Sequence, residues 1–356
     1  MRRGAVRAYH GEVIHAAGTD GPLGPSREPD GRPVVVAGDE SGYEGEKLVG
    51  GTTDVFAHGT VSLAPAAAAV VMAELRDRIR SPATEYKANH LQREKHRSVL
   101  LWLLGPTGPL LGHSHVCLID KEFHLLGKLT EAVVADDFHA TSPGLYRNPA
   151  TDRIALRLYR HGRTELPPDW WEAFLLAAND VMRSKERPDG TTPGDVYGHM
   201  TGLLAHRAAD GELADALTAV RMTAARAETF RERLRAESPA WPPLDPLLPA
   251  IVQGAMYWGA GGSPVELFHD RQNALSPERI RALTTAGGPR AVRLVESFVD
   301  PRIQLADILA GVARKIASEE LRGNADGELI SLLRPYVDPA SIWVTHSGLL
   351  DVPAAE

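Results

Sequence analysis

The run Val34-Val35-Val36-Ala37-Gly38-Asp39-Glu40-Ser41-Gly42 sets the reading of the chain. Its first four residues are apolar and mainly β-branched, the pattern of a strand buried on both faces. Its last four, with Asp first and Gly fourth, fit a type I turn. A carboxylate therefore stands where a core strand ends. Two further runs repeat the design, His115–Ile119 leading into Asp120 and Val265–His269 into Asp270. Ligands of open α/β sheets bind outside the carboxyl ends of the strands. Three such strands side by side would bring Asp39, Asp120 and Asp270 into one crevice. Asp also favours turns, and for any one of the three taken alone that explanation suffices.

Outward from these strands the period changes. A second strand is expected over 54–63 and a helix over 65–80, with Pro65 suited to its first turn. A short strand at 84–87 and a helix over 91–104 follow. Beyond 128 the chain reads as mainly helical to about 260, most clearly over 170–185 and 213–236. A helix over 303–320 is strong; the tail adds a helix near 326–334 and a strand at 342–345. Residues 1–32 are Gly-, Pro- and polar-rich without a period and read as a flexible arm. Alternating strands and helices with a helical interruption give an α/β class, a mixed sheet flanked by helices with a long α-helical insertion. The boundaries are an arm at 1–32, a core at 33–140 and 261–320, an insertion at 141–260 and an extension at 321–356.

Clustered carboxylates repel one another and are costly to desolvate. A hard cation removes the conflict, and Mg²⁺ or Mn²⁺ takes a few carboxylates while keeping waters. Asp307 adds a fourth acid of a different kind. In Gln304-Leu305-Ala306-Asp307-Ile308-Leu309-Ala310-Gly311, the residues Leu305, Ile308, Leu309, Val312 and Ile316 make one apolar helical face. Asp307 lies opposite, among Ala306, Ala310 and Gly311. Small residues there indicate a second close contact that holds Asp307 against the sheet. The other reading is a buried Asp paired with Arg314. Capping does not explain Asp307, because Asp300-Pro301 already supplies the cap and first position. In Thr84-Glu85-Tyr86-Lys87, a strand would point Glu85 and Lys87 to one face. Glu85 would then ligate metal and Lys87 would neutralise phosphate charge; a surface ion pair is the ordinary alternative.

Composition narrows the classes. The 356 residues carry a net charge of −7, and 43% are hydrophobic. A basic footprint of the kind nucleic-acid binders often show is missing from the whole-chain balance. A local stripe remains available at Arg76, Arg78, Arg80, Lys87, Arg93, Lys95 and Arg97. The one cysteine, Cys117, excludes an internal disulfide and a multi-cysteine zinc site. No apolar run is long enough to span a bilayer. The first residues, with Arg2, Arg3 and Arg7 and interruptions at His10, Glu12 and His15, lack the apolar core of a secretory signal. The expectation is a cytoplasmic protein without a membrane partner. Gly112-His113-Ser114-His115 with His124 fits no zinc signature. Gly259, Gly261 and Gly262 lack the strand–helix context of a nucleotide loop. Trp170-Trp171 reads as core packing rather than a base-stacking pair.

The ordered set Asp39-Glu40-Ser41-Gly42, Glu85-Tyr86-Lys87, Asp120-Lys121, Asp270 and Gln304-Leu305-Ala306-Asp307 resembles the bacterial family catalogued as domain of unknown function 3800. The first and last motifs are specific, and the middle ones gain weight from their order. The resemblance covers about residues 33–320. It implies a ribonuclease H-like fold and a metal-dependent nuclease site. The chain departs from it in the insertion and in His269 before Asp270.

Together these readings give a divalent-metal-dependent hydrolase of phosphodiesters in DNA or RNA, using Mg²⁺ or Mn²⁺ and a metal-activated water. Asp39 and Asp307 are the principal ligands. Glu85 and Asp120 complete the set, Asp270 is an additional ligand, and Lys87 stands near the phosphate. Two alternatives stay open. One is a non-catalytic binding or sensor subunit of a defence or mobile-element system; the other is a metal phosphoesterase acting on small nucleotides. The insertion offers a surface for a homo-oligomer or a partner protein.

Overall fold

The computed structural model describes residues 32–80, 88–91, 93–134, 149–183, 192–208, 211–237, 240–344 and 349. Glu85 and Lys87, and all but the last residue of the N-terminal arm, lie outside these. Five strands form one mixed sheet: β1 (Val34–Ser41), β2 (Val55–Val61), β3 (Ser114–Asp120), β4 (Val265–Asp270) and β5 (Ala291–Val295), in the order β3-β2-β1-β4-β5. β1 and β2 are antiparallel, as are β2 and β3, whereas β4 runs parallel to β1 and β5 parallel to β4. Strands β1, β3, β4 and β5 therefore end at the same edge. β3 is separated from β1 by the oppositely directed β2. The expectation of three neighbouring parallel strands thus holds for β1 and β4 and not for β3.

The helices are α1 (Pro65–Ile79), α2 (Ala88–Leu91), α3 (Arg97–Leu104), α4 (Lys121–Val134), α5 (Pro149–Glu165), α6 (Pro168–Met182), α7 (Pro193–Arg207), α8 (Glu212–Ala219), α9 (Ala224–Glu237), α10 (Leu247–Trp258), α11 (Pro277–Thr285), α12 (Pro301–Leu321) and α13 (Gly327–Leu333). The α/β class with a mixed, helix-flanked sheet is observed. Both faces of the sheet are covered, which explains the nearly continuous apolar strands. Val34, Val36, Phe56, Cys117, Ile119, Val265 and Leu267 point into one core, shared with α4, α10 and the helices between α4 and β4. Val55, Ala57, Val61, Val116 and Leu118 point into the other, with α1, α3, α12 and α13. The helical segment between β3 and β4 contributes Phe174, Tyr197, Leu217 and Leu247 to the same apolar cluster as the strands. Asn179 of α6 ties it further to the sheet side. Its side chain accepts from the backbone of Leu48 at 2.9 Å and Val49 at 3.0 Å and donates to the Glu46 carbonyl at 2.8 Å.

Helix α12 is the element that builds the site. Asp300 caps it, its side chain accepting from the Arg302 amide, and Pro301 occupies the first turn. A Cβ on Gly59 would lie 2.9 Å from the Ala306 carbonyl and 3.2 Å from the Ala310 amide, so the helix backbone rests directly on β2. This close approach is why the face carrying Asp307 is built of Ala and Gly. At the far end, Asp54 accepts from Ser318 Oγ at 2.6 Å and from Arg322 Nε at 3.1 Å.

Several elements differ from the sequence reading. The expected helix over 91–104 is three pieces, α2, a 3₁₀ turn at Glu94–His96 and α3. The stretch 213–236 breaks between α8 and α9. The tail strand is reduced to an isolated bridge from Ile342 to Ile119. Strand β5 has no counterpart in the reading.

Candidate active site

Asp39 sits near the end of β1, paired across the sheet with Gly59, and is 7% exposed. The parallel register matches Gly38 with His269, which sets Asp39 beside Asp270. Alternation along β1 and β4 turns Asp39, Phe268 and Asp270 to the α12 side of the sheet. There Asp307 projects from the part of the helix that rests on β2. Both Asp270 and Asp307 are half-buried. Burial first, then the charges of Glu40, Asp307 and Asp270, push the Asp39 carboxyl up to about 9; the Glu40 amide, 2.7 Å from Oδ1, pulls the other way. Four carboxylates from β1, β4 and α12 thus share one electrostatic field.

The fourth member is Glu40. Strand alternation assigns its side chain to the opposite face, where His269 lies, and the charges of Asp270 and Asp307 still bear on it. The chain turns sharply just beyond it, where Gly42 has a φ of 84°, a conformation suited to glycine. A Cβ there would also strike the Val55 carbonyl at 2.3 Å. Burial and then Asp270 push the Glu40 carboxyl up to about 7, and a hydrogen bond with the Asp39 side chain pulls it down. Gln272 Nε2 donates to Glu40 Oε1 at 2.5 Å. Glu40 Oε2 is buried without a hydrogen-bond partner. His269 Nε2 lies 3.6 Å from it.

That histidine cannot supply a proton. His269 Nδ1 donates to the Asp270 carbonyl at 2.9 Å, which leaves Nε2 as an acceptor. His58 Nε2, at 3.3 Å, is the donor it faces. Burial pushes His58 well below the ordinary imidazole range and His269 down to about 4. Both rings are neutral near pH 7 and lend no positive charge to Glu40. His58 Nδ1 is itself buried without a hydrogen-bond partner.

The remaining candidates fall elsewhere. Asp120 lies across from Val55, whereas Asp39 lies across from Gly59. It is therefore two strands over and four residues along. Its Oδ1 accepts from the amides of Glu122 and Phe123, capping α4, and its Oδ2 accepts from Tyr159 at 2.5 Å. Burial raises it to about 6 against those hydrogen bonds. The turn-and-cap explanation describes this aspartate, and the structure does not bring it to the other four. Lys121 Nζ is buried between Glu44 Oε2 and Thr53 Oγ1, each at 2.6 Å, and pins the loop after β1. Arg314, the ion-pair partner considered for Asp307, donates from Nε to Ser41 Oγ at 3.0 Å. Burial holds the Arg314 guanidinium below its ordinary range and Asp54 offsets part of that. Glu85 and Lys87 lie outside the described residues.

All the donors of the cluster are hard oxygens, the set Mg²⁺ and Mn²⁺ prefer. Among the described residues, no group of three or more His, Cys, Asp or Glu side chains is arranged around a common metal position. The Glu40 amide donates to Asp39 Oδ1 at 2.7 Å, and the charge of Glu40 bears on the Asp39 carboxyl. Comparisons with family models, curated proteins and solved structures gave no match to this chain. Among the described residues, no helix is long and apolar enough to cross a membrane.

Proposed function

We propose that the chain is a divalent-metal-dependent phosphodiesterase acting on nucleic acid, with a ribonuclease H-like core. Asp39, Glu40, Asp270 and Asp307 would hold Mg²⁺ or Mn²⁺. The observation that carries the reading is the gathering of Asp39, Asp270 and Asp307 on the α12 side of the sheet, where burial and these neighbouring charges push the Asp39 carboxyl up to about 9. A fold retains such a site at a cost to stability when a ligand relieves it. A divalent cation there supplies charge neutralisation at the phosphate and an activated water. The protein's part is to present Asp39 and Asp307 from two rigid elements locked together at Gly59, and to orient Glu40 through Gln272. The five-stranded mixed sheet, with its acids at the shared strand edge, supports the fold resemblance.

Net charge favours a second reading, a phosphoesterase of small nucleotides, which needs no extended basic groove. One experiment addresses both. Labelled single- and double-stranded DNA and RNA, and a nucleotide phosphodiester, are incubated with Mn²⁺ or Mg²⁺ and wild type, Asp39→Asn or Asp307→Asn. Metal-dependent cleavage of polynucleotide that both variants lose is the expected result. Cleavage of the small ester alone selects the second reading. Hydrolysis of neither by folded, metal-loaded protein refutes both.

A further inference from the structure

We infer that Arg293, laid on Phe268 beside the carboxylate cluster, is a docking point for a backbone phosphate of a single-stranded polynucleotide flanking the reacting one. The inference rests on the nuclease reading above and adds to it the strand that the site receives.

Phe268 lies two residues before Asp270 on β4, on the same face of the sheet as Asp270 and Asp39. Its partner in the parallel register on β5 is Arg293. Two guanidinium groups lie over its ring, Arg302 at 5.0 Å and Arg293 at 5.4 Å from the centroid. They differ in what else they do. Arg302 is buried and spent on Asp300, with Nη2 to Oδ2 at 2.6 Å and Nε to Oδ1 at 3.0 Å. Arg293 is exposed, and among the described residues it makes no hydrogen bond or ion pair. The ring orients its guanidinium while its donors stay free, the state suited to a phosphate. The nearby Arg271 is already engaged by Glu296 at 2.6 Å.

The sheet around Arg293 is open. Val35 of β1, on the same face, is 37% exposed because α12 covers only the later part of that strand. Glu266, one pleat further from the cluster, is the acid that bounds the patch on the side away from Asp270. A cation on β5 therefore stands beside the Phe268 ring of β4, two residues before Asp270 of the carboxylate cluster. A strand whose reacting phosphate sits at Asp39, Asp270 and Asp307 would lay an adjacent phosphate at Arg293.

The test is fluorescence anisotropy of a labelled single-stranded oligonucleotide in Ca²⁺, between about 50 and 200 mM salt, with wild type, Arg293→Gln and Arg293→Lys. Mn²⁺ binding is measured in parallel by calorimetry. Arg293→Gln is expected to weaken binding by up to about fivefold, the scale of one exposed charge contact. It should also flatten the log–log salt slope by about 0.7, one phosphate on a single strand. Mn²⁺ binding should not change, and Arg293→Lys should keep the slope. An unchanged affinity and slope in Arg293→Gln, or no oligonucleotide binding by wild type, overturns the inference. Loss of slope in Arg293→Gln by a protein whose wild type neither binds Mn²⁺ nor cleaves would retain the phosphate contact and remove the nuclease reading instead.

Discussion

Replacing Asp39 by Asn is expected to make the cation-free protein more stable, and more so as pH rises. The folded state holds the Asp39 proton up to about 9, against an ordinary 3.8. Below 3.8 both folded and unfolded chains are protonated and nothing is lost. Above it the unfolded chain gives up its proton while the folded one retains it, so stability falls steadily toward about pH 9. At about 1.4 kcal/mol per pH unit that interval sets a ceiling near 7 kcal/mol. Coupling to Glu40 and side-chain relaxation reduce it, and about 2–4 kcal/mol at pH 8.5 is a reasonable expectation. For a chain of 356 residues that is roughly 3–5 °C in Tm. The assay is thermal unfolding in chelator at pH 5.5 and 8.5, wild type against Asp39→Asn. Wild type should lose stability between the two pH values, the variant should lose less, and Mn²⁺ should restore wild type alone. A variant less stable than wild type at pH 8.5 would refute the reasoning, because the carboxylate would then be stabilised by its surroundings.

Other consequences follow from the same contacts. Gly59→Val should cost about 2–4 kcal/mol in urea unfolding, since its side chain would enter the Ala306–Ala310 backbone of α12, and should lower Mn²⁺ affinity by displacing Asp307. Tyr159→Phe should cost about 1–2 kcal/mol by leaving buried Asp120 short of a partner, with Mn²⁺ affinity unchanged. Loss of Mn²⁺ binding in that variant would return Asp120 to the site. Asn179→Ala should cost about 2–4 kcal/mol, because it removes the partner of the buried Leu48 amide, the part-buried Val49 amide and the Glu46 carbonyl. On the acid side, His269, held down to about 4, should destabilise the fold as pH drops from about 6.5 toward 4, where the unfolded chain takes up a proton that the folded one refuses. His269→Gln should flatten that limb.

The sequence made the central strands legible because burial on both faces leaves uninterrupted apolar runs, and it made α12 legible because its two faces differ in residue size. Asp307 was legible for that reason: only close packing accounts for Ala306, Ala310 and Gly311 around a lone acid. Asp120 looked the same as Asp39 in its own strand. What separates them is strand order, which depends on the antiparallel insertion of β2 and leaves no local trace. Glu40 follows Asp39 in the strand and so faces the other side of the sheet, and its neighbour there, His269, comes from a distant strand. His58 lay in plain sight as one histidine within Val55–Val61, but its meaning comes from His269, 211 positions away. Strand β5, half-exposed and only five residues long, carries too weak a period to separate from a loop.

Calorimetric titration of Mn²⁺ into metal-free protein at pH 7.5, wild type beside Asp39→Asn and Asp307→Asn, tests the central claim most directly. The expected result is saturable binding to wild type with release of protons from the Asp39–Glu40 pair, weakened at least tenfold in each variant. Equal binding in all three proteins, or none in wild type, would contradict the assignment of these four carboxylates as a cation site.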